Sequence, residues 1–258
     1  EVSLAAIHAA AGEHGQALPL RDAAIASMRS LVADFPARVV YRQELDLMLY
    51  DLAVERQQAG DVAGAIAADT EAIAGHEQLL AAHPDGHEYA SELAIVVHHR
   101  GYLQTKTDDA AAGRDFTRAA ELIEGVVQKR PDDLAFRMQA GPLVRAAAIR
   151  AARSERWTEA RDTFRRAADH VERVRVAGGK RSVAAKRLLL QMLPQLANSE
   201  LMCDDFAGVV VALRHLHAVE PMQPDALREM GGAMHVDDRA DFQELLRAAA
   251  AANPASQG

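Results

Sequence analysis

The chain has 258 residues, 49% of them apolar but only 4% aromatic, and a net charge of −8. So alanine-rich and aromatic-poor a composition suits close helix–helix packing and leaves little material for a large ligand pocket. Its single cysteine, Cys203, excludes an internal disulfide and a cysteine-based zinc cage.

The residues from Glu1 already follow a helical pattern, so 1–13 reads as the latter part of a helix and the chain as a fragment of a longer protein. No run of 18 apolar residues marks a membrane span, no signal-peptide pattern opens the chain, and a reducing cytoplasmic setting is expected. After a turn at Gly12, a helix is predicted from about Leu18 to Asp34, apolar at Ala24, Ile25, Met28, Leu31 and Val32. Pairs of helices follow at 38–58 and 62–82, at 87–106 and 109–129, and at 133–153 and 157–176. A break at Ala177-Gly178-Gly179 leads to a fifth pair at 181–202 and 205–219, which Pro221 and Pro224 end. A short helix from 225 and a last one at 238–252 complete residues 222–258, expected to cap the array and end in a frayed tail. Pro142 and Pro194 fall inside predicted helices, where proline costs about 3 kcal/mol. They predict a restart after Gly141 and a kink near Leu190.

The stretch from Tyr41 to Pro84 is the unit on which the chain is built, two amphipathic helices around Ala59-Gly60-Asp61. Its text returns in LVADFPARVVYRQEL (31–45), LLAAHPDGHEYASEL (79–93) and VVQKRPDDLAFRMQA (126–140), with Pro36, Pro84 and Pro131 spaced 48 and 47 residues. Small residues keep that spacing. Ala5, Ala53, Gly101, Ala148 and Ala197 form one register; Ala17, Ala65, Gly113, Ala160 and Val209 a second; Ala24, Ala72, Ala120, Ala167 and Leu216 a third. Repetition at this period signals an array whose units bury their apolar faces on one another. The units expected are 1–36, 37–84, 85–131, 132–178 and 179–221, together an all-α array over 1–221.

GDVAGAIAADTEAIA (60–74) and SERWTEARDTFRRAA (154–168) resemble the tetratricopeptide repeat, with small residues on both helices and a closing proline. Trp157 and Phe206 match the family's aromatic at the start of the second helix, and Phe164 its later aromatic. Asp69 replaces that later aromatic, Leu49 stands where an aromatic is common, and the period exceeds the family's 34 residues by about two turns per helix. HEAT-type helical pairs are the alternative. LLAAHPDGHEY and DDRADFQELL (237–246) further resemble the repeat regions of large planctomycete serine/threonine kinases. The resemblance implies a right-handed solenoid that acts as a non-catalytic protein-interaction scaffold.

Catalytic signatures are sparse. The kinase glycine-rich loop, HRD and DFG are absent. GGKRS (178–182) lacks the glycine a phosphate loop needs where Val174 stands, and reads as an interhelix turn. Asp237, Asp238 and Asp241 spell DDxxD, which would hold magnesium in an all-helical enzyme. The preferred reading is a helix start whose acids complement the helix dipole. His98/His99 and His215/His217 do not share a helix face, and His83 and His87 bracket a proline, so neither metal nor cofactor is expected. Cys203, beside Asp204 and Asp205, reads as inert.

Charge is unevenly spread: 11 Lys/Arg against 21 Asp/Glu over 1–132, 14 against 7 over 133–200, and 4 against 9 over 201–258. The basic segment could serve nucleic acid, but the acidic whole favours a protein ligand. Carrying over the family's inner-surface register places Tyr50, Val54, Gln57 and Gln58 in a groove, then His98, Tyr102, Thr105 and Lys106. Arg145, Ile149, Ala152 and Arg153 follow, and finally Asn198 and Met202. The expected ligand is an acidic peptide or tail, held by Lys106, Arg145 and Arg153 beside Tyr50 and Tyr102.

Overall fold

The computed structural model describes residues 7–8 and 11–252, and among these it contains eleven helices of eight residues or more and no strand. They are α1 (His14–Asp34), α2 (Val39–Gln58), α3 (Val62–Ala82), α4 (His87–Gln104), α5 (Asp109–Lys129) and α6 (Leu134–Arg153). Then come α7 (Trp157–Ala177), α8 (Ser182–Leu201), α9 (Phe206–Val219), α10 (Pro224–Ala233) and α11 (Ala240–Ala252). The chain divides into two compact units, Glu1–Lys129 and Arg130–Gly258. The cap helices α10 and α11 belong to the second.

The turns within the helix pairs show why the helices stop where they do. Gly12, Gly60, Glu155 and Asp204 all adopt positive φ, between 56° and 86°. After each, the next amide reaches back five residues: Glu13 N to His8 O (2.9 Å), Asp61 N to Arg56 O (2.8 Å), Arg156 N to Ala151 O (3.0 Å) and Asp205 N to Glu200 O (2.9 Å). This left-handed stop satisfies carbonyls that a helix end would otherwise orphan. Asp61, Asp108 and Asp205 then start the following helices by accepting from the amides of Gly64, Ala111 and Gly208, each at 2.9 Å. The third pair turns without a positive φ among its residues, through Asp108 N to Gln104 O at 2.9 Å. GGKRS is the turn between α7 and α8, with Gly178 and Gly179 at φ 75° and 78°.

Consecutive helices pack on one another from α1 to α5 and from α6 to α9, and α11 packs on both α10 and α9. Ala53, Ala148 and Ala197 are fully buried and Gly101 is buried, as are Ala17, Ala65, Ala160 and Val209. Ala24, Ala72, Ala120, Ala167 and Leu216 are buried too; Gly113 is half-buried and Ala5 lies outside the described residues. A Cβ on Gly101 would stand 3.0 Å from Asp115 Cβ and 3.3 Å from Ala112 O, so α4 and α5 meet at hydrogen-for-methyl distance. In the second unit Val209, Val210 and Leu213 share a core with Leu227, Val236, Phe242, Leu245 and Leu246, which gives the cap helices their anchorage.

A volume exchange also recurs. Gly141 lies against Val171, its missing Cβ 2.3 Å from Val171 Cγ2. One repeat earlier stand Ala94 and Ile123, both fully buried. One repeat before that stand Asp46 and Gly75, now with the bulk on the other partner, because a Cβ on Gly75 would fall 1.9 Å from Asp46 Oδ1.

The restart expected after Gly141 needs correction. Both α6 and α8 run unbroken through Pro142 and Pro194, and α1 begins at His14 so that Pro19 is also internal. Each proline forfeits one backbone bond, but packing on both sides holds the helix through it: Gly141, Leu143 and Val144 flank Pro142, and Met192, Leu193, Leu196 and Ala197 flank Pro194, all buried.

Gly141→Ala should therefore destabilise the second unit by about 1–3 kcal/mol through overpacking. In a Val171→Ala background the same change should cost less, with a coupling of at least about 0.5 kcal/mol in urea denaturation. Additive costs would show that the two residues do not compete for one space.

Candidate functional site

The sequence-derived groove residues fall in both units. In the second unit, α6 carries Arg145, Ile149, Ala152 and Arg153 at i, i+4, i+7 and i+8, one face of the helix. Ile149, Ala152 and Arg153 line a pocket of about 480 Å³, together with Trp157 and Phe164 of α7. α8 completes it with Pro194, Gln195, Asn198 and Ser199. Pro194 presents a ring instead of an N–H, and Phe164 forms the buried floor. Asn198, placed by sequence in the same groove, thus does meet Ile149 and Arg153.

Arg145 reaches this wall by donating Nε–H to Gln195 Oε1 at 2.9 Å. Partial burial lowers its pKa, and no carboxylate among the described residues pairs with it. Arg153 is exposed and makes no ion pair. Eight residues apart on one helix, the two guanidinium stems are separated by about 12 Å along the axis. Several other cations of this basic segment are neutralised locally, while Lys180, Arg181 and Arg187 are exposed without an ion pair among the described residues. Arg165 grips buried Glu200 through Nε and Nη2 at 2.8 and 2.9 Å, Arg175 holds Glu172, Arg173 holds Asp169, and Lys186 lies 3.4 Å from Glu220.

In the first unit, Tyr50 stands edge-on to His99, ring centroids 5.4 Å apart, and Gln57 Oε1 lies 2.9 Å from His99 Nε2. His99 Nδ1 is 2.7 Å from Asp69 Oδ2, so this ring organises two of the residues singled out in sequence. His98 turns to Phe116 at 5.4 Å, and burial lowers its pKa to about 4. Val54 is half-buried, Tyr102 is 56% exposed, and Lys106 is exposed in the turn after α4. Sequence reasoning missed His99. Its signal was Asp69, fully buried where Phe116 and Phe164 stand in later repeats. At the same register one repeat earlier, buried Arg21 pairs with Glu55.

Asp237 and Asp238 sit in a turn ahead of α11, not on it, while Asp241 lies in its first helical turn and pairs with Arg239 at 3.0 Å. That ion pair holds the Asp241 pKa below its ordinary value. Among the described residues no three His, Cys, Asp or Glu side chains are arranged to hold a metal ion. No helix among them is long and apolar enough to cross a membrane.

These features define an all-helical protein of repeated hairpins with a mixed apolar and cationic pocket in its second unit. Neither protein-family models nor curated protein sequences match the chain. Among solved structures it is similar to BtubC (BKLC) from P. vanneervenii, at 16% identity and a TM-score of 0.51, covering 95% of this chain and 92% of that one. A weaker likeness is to the C-terminal part of a TPR repeat-containing protein from Cytophaga hutchinsonii, at 12% identity and a TM-score of 0.32, covering 88% and 98%. The first likeness supports the fold.

Away from the pocket, Asp46 and His76 are fully buried; among the described residues neither Asp46 oxygen nor either His76 nitrogen has a hydrogen-bond partner, with Glu92 Oε2 3.8 Å from His76 Nδ1. Burial raises the Asp46 pKa from 3.8 to about 8 and lowers that of His76 from 6.5 to about 4. Folded Asp46 keeps a proton that the unfolded chain releases, so its contribution to stability falls as pH rises from about 4 to about 8. His76 acts oppositely between about 4 and 6.5, where the unfolded ring binds a proton that the folded ring refuses. Above pH 6.5 the Asp46 effect stands alone of the two. Thermal stability should drop between pH 6.5 and 8, and Asp46→Asn should remove most of that drop. An equal drop in the variant would contradict this assignment.

Proposed function

We propose that the chain is a non-catalytic protein-interaction scaffold of tetratricopeptide type, whose second-unit pocket receives an acidic peptide through one apolar side chain. The observation that carries this reading is Arg145, half-buried and without a carboxylate, beside an apolar pocket that ends at exposed Arg153. An apolar anchor from the ligand would fill the space walled by Ile149, Trp157, Phe164 and Pro194. Carboxylates on either side would meet the two arginines. Arginine and tryptophan are residue types that dominate binding energy at interface centres. Asn198 and Gln195 supply amide groups for the ligand backbone.

Ion pairs engage Arg161, Arg165, Arg173, Arg175 and Lys186, and the acidic chain as a whole favours a protein ligand over nucleic acid, although Lys180, Arg181 and Arg187 stay exposed. Placement of Asp237 and Asp238 ahead of α11, with Asp241 engaged by Arg239, favours a binding role over a magnesium-dependent enzyme. The repeat text that resembles planctomycete kinases supports a place in a larger kinase-containing cytoplasmic protein.

A random peptide library selected on the full chain should enrich acidic sequences with a central apolar residue. The Arg145→Glu/Arg153→Glu variant should bind them at least about tenfold more weakly, and 0.5 M salt should weaken binding to the wild type. Enrichment of neutral or basic peptides, or equal binding by the variant, would overturn the reading.

A further inference from the structure

The first unit carries a second groove, independent of the pocket in the second. One face of α5, running through Arg118, Glu121, Leu122, Gly125, Val126 and Lys129, lines a pocket of about 560 Å³. Its opposite wall is the end of α3, with Glu77, Leu80 and Pro84, and its floor is the start of α4, with Ala90 and Leu93. The α5 wall spans twelve residues, about 16 Å or three helical turns.

Gly125 has no structural reason to be glycine. It is helical, yet an added Cβ would meet nothing within 4 Å. Glycine inside a helix costs about 1 kcal/mol relative to alanine. Elsewhere in the chain buried helical glycines such as Gly75, Gly101 and Gly141 are explained by a neighbour that needs the room. Gly15 and Gly232, near helix ends, are open likewise, but Gly125 alone of the three lines the groove.

The charges say which guest fits. Both cations of the groove are already engaged across it: Arg118 with Glu77, and Lys129 with Asp85 at 3.8 Å. Glu121 is left exposed and, among the described residues, without an ion pair. Asp85, beside Pro84 at the groove end, is 99% exposed at its side chain. The unit as a whole has ten Lys/Arg against twenty Asp/Glu, a net charge of −10. An acidic partner would be repelled and a cationic one drawn in.

We infer that this groove docks a basic amphipathic helix of a partner protein, with small or branched apolar residues laid over Gly125 between Leu80 and Leu122. Three turns of wall match the helix-in-groove mode, in which anchors recur at i, i+4 and i+7. Basic residues flanking those anchors pair with Glu121, and one at the groove end competes with Lys129 for Asp85.

The test uses the full chain and a phage library of helical peptides, with Gly125→Leu as counter-selection. Leucine at this open helical site fills the groove and raises helix propensity, so the variant should melt no lower than wild type. Peptides enriched on wild type but not on Gly125→Leu should be basic, with apolar residues at i and i+4. Their affinity should fall at least tenfold in Gly125→Leu and in Glu121→Lys, and be unchanged in Arg145→Glu/Arg153→Glu. Acidic or neutral enriched peptides, equal binding to Gly125→Leu, or no enrichment at all would overturn the proposal. So would a wild-type dimer that Gly125→Leu dissociates, since the occupant would then be a second copy of this chain.

Discussion

Close approach of helices at residues with little or no side chain is the constraint on which this structure depends. At Gly101 and Gly141 the neighbouring helix comes so near that a single methyl group would collide with it. At Ala53, Ala65, Ala148, Ala160 and Ala197 a methyl is all that fits, and each is fully buried. Because these positions recur with the repeat, small buried residues recur through the described helix pairs. Dispersion between backbones and alanine methyls then does what large side chains do in other cores. That is how a chain with 4% aromatic residues still builds a dense interior.

Within that frame the first unit departs from apolar packing in a regular way. The register that holds Phe116 and Phe164 holds Arg21 and Asp69 earlier in the chain, and each is answered by the following helix, through Glu55 and His99. The register that holds Gly141 holds Asp46, answered only by the empty space of Gly75. A buried charge is tolerable when paired and costly when alone. The paired acids therefore act as specific helix–helix contacts, whereas Asp46 persists by staying neutral. The second unit resolves its own buried acid differently, with Arg165 and Arg161 converging on Glu200.

Helix limits were legible in the sequence because the turns carry their own chemistry: Gly12 and Gly60 stop helices, and Asp61, Asp108 and Asp205 start them. Glu155 and Asp204 stop helices with the same positive φ but do not advertise it, since only the repeat spacing marks them. Proline misled in the other direction at Pro142, where flanking buried residues outweigh one lost hydrogen bond and the helix runs on. Of the site, Ile149, Arg153 and Asn198 could be found from helical register alone, as they share repeat positions. The contributions of Phe164, Pro194 and Gln195 could not, because they depend on how α7 and α8 cross α6. His99 was hidden for the same reason. Its importance comes from Asp69, one helix away and thirty residues earlier.

The account rests most heavily on the pocket formed by α6, α7 and α8, and the chain provides its own reporter there. Trp157 is the only tryptophan in 258 residues and it lines that pocket. Titration of the full chain with a selected acidic peptide, followed by tryptophan emission, asks directly whether an apolar side chain is seated beside it. The account predicts a saturable blue shift whose midpoint matches the calorimetric Kd and which is lost in Arg145→Glu/Arg153→Glu. Calorimetric binding with an unchanged Trp157 spectrum would place the ligand elsewhere and contradict it.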